Sequence, residues 1–188
     1  MKRSPISKLA ALGLIAALPF AASAADGVSY SYVEGGYIAT NPDEGQDADG
    51  WAIKGSGAIA PNFHLFGEYN SQELDRVDVD VDQWRLGVGY NHEVNRNLDL
   101  VTRVAYKKFD ANPVDLDGWD VEAGVRGAFT PNFEGYAMAG YEDYERTDGN
   151  FYGRVGANVK FNPNWSINGD VKVSDDYTEW FVGPRYTF

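Results

Sequence analysis

Phe181-Val182-Gly183-Pro184-Arg185-Tyr186-Thr187-Phe188 closes the chain and decides how the rest is read. Successive side chains of a β-strand point to opposite sides. Phe188, Tyr186, Pro184, Val182 and Trp180 therefore share one face, and Thr187, Arg185, Gly183 and Phe181 share the other. The first face is apolar and ends on two aromatics. The second carries a guanidinium and a glycine. A strand in a water-soluble protein gains nothing from placing Tyr186 and Phe188 on one side at the very end of the chain.

Working backwards, the same alternation recurs. Trp165, Ile167, Gly169, Val171 and Val173 oppose Ser166, Asn168, Asp170 and Lys172. Phe151, Gly153, Val155, Ala157, Val159 and Phe161 oppose Tyr152, Arg154, Gly156, Asn158 and Lys160. Trp119, Val121, Ala123, Val125, Gly127 and Phe129 oppose Asp120, Glu122, Gly124, Arg126 and Ala128. Near the start, residues 28–40 give no clear phase, because both faces hold tyrosines and Glu34 falls on one of them.

Turn signals divide these strands. Pro61-Asn62-Phe63, Pro131-Asn132-Phe133 and Pro163-Asn164-Trp165 share one pattern, and Asn95-Arg96-Asn97-Leu98 takes the same place in a fourth turn. Longer polar segments lie between them, around 41–49, 71–82, 109–117, 143–150 and 174–178. Four tight turns alternating with five longer loops predict ten antiparallel strands, with both chain ends on the tight-turn side. Eight strands is the alternative if one hairpin pairs poorly.

The aromatics are sorted to the strand ends. Trp51, Trp84, Trp119, Phe151 and Trp180 each follow a long loop, whereas Phe63, Phe133 and Trp165 each follow a tight turn. Two such rings are the interfacial girdles of a membrane barrel. We expect Trp51, Trp84, Trp119, Trp165 and Trp180 to form them. No long apolar run follows Ala25. A chain that spans a bilayer without helices does so as a closed barrel, which pairs every backbone group. The fold expected is all-β: a transmembrane up-and-down antiparallel barrel of about ten strands. Its location would be the outer membrane of a Gram-negative cell, with termini periplasmic and the longer loops extracellular. Gly183, Tyr186 and Phe188 then read as the signal met by the barrel assembly machinery.

The other chain end agrees. Lys2, Arg3 and Lys8 precede an apolar run from Leu9 to Leu18, and Ala22-Ser23-Ala24 fits a small-x-small cleavage site. The expected division is a signal peptide over 1–24 and a barrel over 25–188. Removing those three cations from a net charge of −12 leaves −15. That balance excludes nucleic acid as a partner. The chain has no cysteine, which removes disulfides, thiolate metal sites and a lipoprotein anchor.

The inward faces carry both signs. Lys54, Arg85, Arg103, Arg126, Arg154, Lys172 and Arg185 oppose Glu68, Asp120 and Glu122, joined by Lys107, Lys160, Asp99, Glu134, Asp170 and Glu179. Near balance predicts a lumen crossed by ion pairs, whereas a selective pore shows a ring of one sign. Asp120 and Glu122 are expected to neutralise Arg126 and its neighbours. The alternative is a narrow porin-like channel for small solutes.

Excess negative charge falls in the outer segments. A weak divalent-cation site would draw on Glu73, Asp75, Asp78, Asp80 and Asp82, although no segment has calcium-loop spacing. The other reading of that stretch is a strand pair continued above the membrane by Val77, Val79 and Val81. Lipid, lipopolysaccharide and a host or surface partner are the partners such loops would meet. Catalysis is not expected: His64 and His92 are the only histidines, both near the periplasmic rim, and we read them as polar plugs there.

With these residues in view, the chain resembles a family of small outer-membrane proteins of xanthomonad bacteria, described as diffusible signal factors or activators of plant immunity. The resemblance rests on Ala25-Asp26-Gly27-Val28-Ser29-Tyr30, Phe63-His64-Leu65-Phe66-Gly67, residues 82–92, Phe133-Glu134-Gly135-Tyr136-Ala137 and Trp180-Phe181-Val182-Gly183-Pro184-Arg185. It implies a resident barrel whose signalling or virulence role would be vesicle-borne, because a free species would expose its apolar belt to water. It assigns no catalytic or binding residue. The function expected is thus that of a non-enzymatic surface barrel serving envelope structure or surface contact.

Overall fold

A computed structural model describes residues 24–74, 80–111 and 113–188. Ten strands follow one another: β1 (Tyr32–Pro42), β2 (Ala48–Ala60), β3 (Phe63–Leu74), β4 (Asp80–Asn95), β5 (Leu98–Ala111), β6 (Val114–Thr130), β7 (Phe133–Tyr144), β8 (Asn150–Lys160), β9 (Trp165–Ser174) and β10 (Tyr177–Thr187). Each pairs antiparallel with its sequence neighbour, and β1 pairs with β10. The sheet is a closed barrel of ten strands, so no edge is left unpaired. The expected strand count and up-and-down order both hold; the eight-stranded alternative does not.

The two faces differ as the alternation demands. Val33, Tyr37, Leu86, Val104, Val121, Val125, Val155, Val182 and some twenty further large apolar side chains point outward and are exposed. Charged and amide side chains fill the inside. This inverts the ordinary soluble arrangement and is stable only where the outside solvent is hydrocarbon. On β6 the outward face runs from Trp119 to Phe129. Ten residues cover roughly 33 Å along a strand, which at a tilt near 45° is a height of about 24 Å, the apolar band of an outer-membrane barrel. Residues 28–40 resolve as well: Glu34 and Ile38 point inward and Val33 and Tyr37 outward.

The barrel closes through an interrupted seam. The ladder between β1 and β10 pairs Glu34 with Arg185, then resumes at Tyr37 with Val182. In the gap lie Pro184, which has no N–H to give, and Gly35, Gly36 and Gly183, whose backbones touch. A Cβ on Gly183 would sit 2.2 Å from the Gly35 carbonyl oxygen, and one on Gly36 would sit 2.1 Å from the Val182 oxygen. Close backbone approach is thus what requires glycine at both positions.

One expectation needs correcting. Much of what reads as outer loop is strand. Asp110 faces Asp115 and Ala111 faces Val114 across a paired ladder, so most of the segment 109–117 is strand. Asp49 pairs with Glu73, and Glu73 with Asp80. Charge led these residues to be read as loop, but above the membrane a strand tolerates charge on both faces because both meet water. The continuation of strand above the girdle therefore also takes in most of 109–117, while 43–47 and 145–149 remain outside the strands. Residues 1–23, and with them nearly all of the expected signal peptide, lie outside the described residues, as do Asp75, Arg76, Val77, Asp78 and Val79.

Candidate functional site

Register builds the lumen. Glu34 lies opposite Lys54, Lys54 opposite Glu68, Glu68 opposite Arg85, and Arg85 opposite Lys107. Five neighbouring strands thus present charges in one row, alternating in sign over the first four. A second row brings Arg103 opposite Glu122, and a third brings Lys172 between Arg154 and Glu179. These rows follow from period-two alternation plus hairpin register, and a slip of one residue would turn every charge toward lipid.

The side chains then pair, often across the lumen rather than along the sheet. Lys54 reaches Asp170 at 3.2 Å on the far wall and Glu68 at 3.6 Å beside it. Arg85 donates from Nε and Nη2 to the two oxygens of Asp120, at 2.8 and 2.6 Å. Arg85 Nη2 also lies 3.2 Å from Glu122, whose other oxygen takes Arg103 at 3.2 Å. Tyr152 completes that carboxylate with a hydroxyl at 2.9 Å. Arg185 bonds Glu34 at 2.6 Å, and Arg154 lies 3.8 Å from Glu179. Near the outer end, Glu142 takes Lys107, Lys172 at 2.7 Å, and the Tyr177 hydroxyl. Buried charges persist when paired and hydrogen-bonded, which this network achieves for most of them; Arg154 reaches Glu179 only at 3.8 Å and its Nε has no hydrogen-bond partner among the described residues.

Aromatic rings support the cations from below. The Lys54 ammonium sits 3.8 Å from the centre of the Phe181 ring, and the Arg185 guanidinium 4.1 Å from that of Tyr32. Arg85 and Arg103 flank Phe66 at 4.9 and 5.2 Å. Cation–π contacts of this kind add to holding a charge where water is scarce.

All ten lumen charges singled out from the sequence, Lys54, Glu68, Arg85, Arg103, Asp120, Glu122, Arg126, Arg154, Lys172 and Arg185, point into the barrel and engage in ion pairs. The partners differ from expectation in one place. Asp120 and Glu122 serve Arg85 and Arg103, while Arg126 bonds Glu134 on β7 at 2.5 Å. Arg126 and Glu134 share the tight-turn end, whereas Asp120 sits six residues farther up β6. Trp51, Trp84, Trp119, Trp165 and Trp180 all face outward and are exposed, as are Tyr186 and Phe188, while Gly183 lies in the closing seam. Trp165 marks the tight-turn end and stacks edge-on with Tyr186 at 5.1 Å.

Three features escaped the sequence reading. Glu142, just ahead of the segment 143–150 and not singled out from the sequence, is an inward hub on β7, where Glu134, Tyr136 and Met138 set the phase. Glu34 pairs across the closing seam with Arg185, a contact 151 residues apart that no local pattern announces. The histidines also divide: His64 is fully buried, stacked on Tyr30 at 4.6 Å and accepting from Arg103 at 3.3 Å, but His92 is exposed on the outer wall. His92 is therefore not a lumen plug, because it shares a face with Tyr90.

A cavity of about 40 Å³ lies inside the barrel, walled by Lys54, Arg85, Arg103, Arg126, Arg154 and Arg185 with Glu34, Glu68 and Asp170. A second, of about 20 Å³, lies above it beside Arg85, Lys107 and Lys172. Single waters need roughly 10–15 Å³ each, so these volumes hold a few waters and no solute. Among the described residues no three His, Asp or Glu side chains come together to hold a metal ion. Of the acidic stretch considered for a cation, Glu73, Asp80 and Asp82 are described and lie on the facing strands β3 and β4.

Comparison with known proteins places this architecture. Among solved structures the chain is similar to the KdgM porin in complex with disordered oligogalacturonate, at 14% identity over 86% of this chain and 99% of that one, with a TM-score of 0.48. It is similar to Neisserial surface protein A at 15% identity, covering 85% and 98% of the two chains, with a TM-score of 0.45. It is also similar to Ail, the attachment invasion locus protein of Yersinia pestis, at 12% identity over 85% and 100%, with a TM-score of 0.40. No curated protein matches its sequence. Residues 9–184 match the outer membrane protein beta-barrel domain, and the chain belongs to that family.

Proposed function

We propose that this protein is a non-conducting, non-enzymatic barrel of the bacterial surface, with its termini in the periplasm and its acidic strand ends outside. The observation that carries this reading is the lumen: charge rows on every strand meet in ion pairs across it, around a cavity of about 40 Å³. A wall so crosslinked suits a rigid envelope element rather than a conduit.

The outer end supplies the contact surface. Asp43, Glu44, Asp47, Asp49, Asp115, Asp117, Asp143, Glu145, Asp148, Asp175 and Asp176 gather there, while Lys108 and Arg146 are the cations among the described residues. Such a rim favours lipopolysaccharide bridged by divalent cations, or a basic surface partner, and disfavours bare phosphate. A role in signalling or virulence would be exercised from membrane or vesicles, because the apolar belt forbids a free species. The absence of an enzyme role is supported by where His64 sits: fully buried and stacked on Tyr30, it has no free path to a substrate at the outer face.

A second reading is a narrow channel for small anionic solutes. It is favoured by the cavity walls, which carry six cations against three carboxylates. Liposome swelling separates the two. Proteoliposomes holding the folded chain should resist entry of small sugars and organic anions as protein-free liposomes do. Swelling in an organic anion, absent with a refolding-defective control, would establish the channel instead.

A further inference from the structure

Ahead of β1, residues 25–31 turn back into the tight-turn mouth of the barrel. Ala25, Val28 and Tyr30 are buried there against Val101, Ala128 and Met138. The backbone is anchored by the Asp26 N–H to the Arg96 carbonyl at 2.5 Å and by Lys160 to the Gly27 carbonyl. Gly27 takes a φ of 79°, and a Cβ there would come within 3.2 Å of the Ala128 Cβ. Tyr30 lies flat on His64, with the Arg126 guanidinium 4.9 Å from its ring centre. This is a seated strap, with its own turn and its own contacts.

At its start the strap meets Asp99. That carboxylate is fully buried, and both of its oxygens are used: Oδ1 accepts from the Ala25 nitrogen at 3.0 Å and Oδ2 from the Tyr30 hydroxyl at 2.9 Å. Among the described residues no cation lies within ion-pair distance of it. Arg126 is opposite in register but is committed to Glu134. A buried carboxylate with two neutral donors and no cation is costly. Every other buried lumen carboxylate named above has a cation.

We infer that cleavage after Ala24 makes the α-ammonium of Ala25 the partner of Asp99, locking residues 25–31 as a strap in the mouth of the lumen. Hydrolysis adds water across the Ala24–Ala25 peptide bond: Ala24 leaves as a carboxylate, and the Ala25 nitrogen gains the protons of an ammonium. The nitrogen that donates as an amide before cleavage then stands 3.0 Å from Asp99 with a positive charge. Ala24, which packs against the same apolar cluster, departs with the leader. Asp99 is thus a receiver for the new N-terminus, and the charge pair exists only in the processed chain. The inference rests on cleavage after Ala24 and not on whether the lumen conducts.

The test begins with protein extracted from outer membranes. N-terminal sequencing should give Ala25; any other start overturns the inference. The folded protein is then treated near neutral pH with an amine-acylating reagent, and modified peptides are quantified. A locked ammonium reacts only through local opening, so acylation of Ala25 should be at least about tenfold slower than in Asp99→Asn. Acylation of the exposed Lys108 should be equal in both. Equal rates at Ala25 would overturn the inference. Should Asp99→Asn fail to fold, the wild-type chain refolded with one added glycine ahead of Ala25 decides. Its displaced amine should react at least about tenfold faster than that of the chain starting at Ala25, and equal protection would refute the lock.

Discussion

Replacing Glu122 by glutamine should cost the barrel about 3 kcal/mol of stability, near the lower end of what removing one partner of a buried ion pair costs. The side chain keeps its shape and loses its charge. Glu122 is fully buried and answers two guanidiniums, Arg85 at 3.2 Å and Arg103 at 3.2 Å, besides the Tyr152 hydroxyl. Arg85 retains both bonds to Asp120, which holds the loss down. Arg103 retains the His64 contact and the Phe66 ring but no carboxylate, so it is left a half-buried cation without an anion. Following Glu122→Gln with Arg103→Met removes the orphan and should recover about 2 kcal/mol, since a pair replaced by apolar groups is often near neutral. The control is Lys108→Ala: that pair with Asp115 is 38% and 57% exposed and should cost less than about 1 kcal/mol. The assay is equilibrium urea unfolding from lipid vesicles, followed by fluorescence of the girdle tryptophans. Glu122→Gln losing no more than Lys108→Ala would refute the reasoning that the lumen network holds the wall together.

Two further substitutions probe the closing seam and the lipid face. Gly183→Ala places a methyl 2.2 Å from the Gly35 carbonyl oxygen, so closure of β1 on β10 should suffer an overpacking cost of about 1–3 kcal/mol. The check is the fraction of protein that migrates as heat-modifiable folded barrel; an unchanged fraction and unchanged unfolding midpoint would contradict it. Val125→Arg puts a charge on the outward face of β6, midway between Trp119 and Phe129. It should destabilise the vesicle-embedded barrel by about 2–4 kcal/mol, whereas Thr178→Arg, beyond the girdle, should change little. Equal effects at the two positions would argue against a membrane band at this height.

Most of the fold was legible because a membrane barrel writes itself locally. Trp119 to Phe129 show their two faces within eleven residues, and the Pro-Asn-aromatic turns mark where each hairpin reverses. Inward charges could be named from the same alternation, since Glu122 and Arg154 stand on faces that are otherwise polar. What stayed hidden depends on distant contacts. Glu34 meets Arg185 only because the first strand closes on the last. Arg126 chooses Glu134 over Asp120 by its depth along β6, which pairing fixes and alternation does not. Asp110 and Asp115 read as loop because charge outside the membrane carries no sign of pairing. The strap at residues 25–31 has no periodicity, and its receiver, Asp99, is over seventy positions away.

Single-channel conductance of the mature chain, refolded and shown to be heat-modifiable, tests the closed lumen most directly. With wild-type protein in a planar bilayer, the account predicts a baseline indistinguishable from a mock preparation. Reproducible conductance steps that scale with protein and vanish in the mock would contradict it, and would make the six cations around the central cavity the lining of a pore.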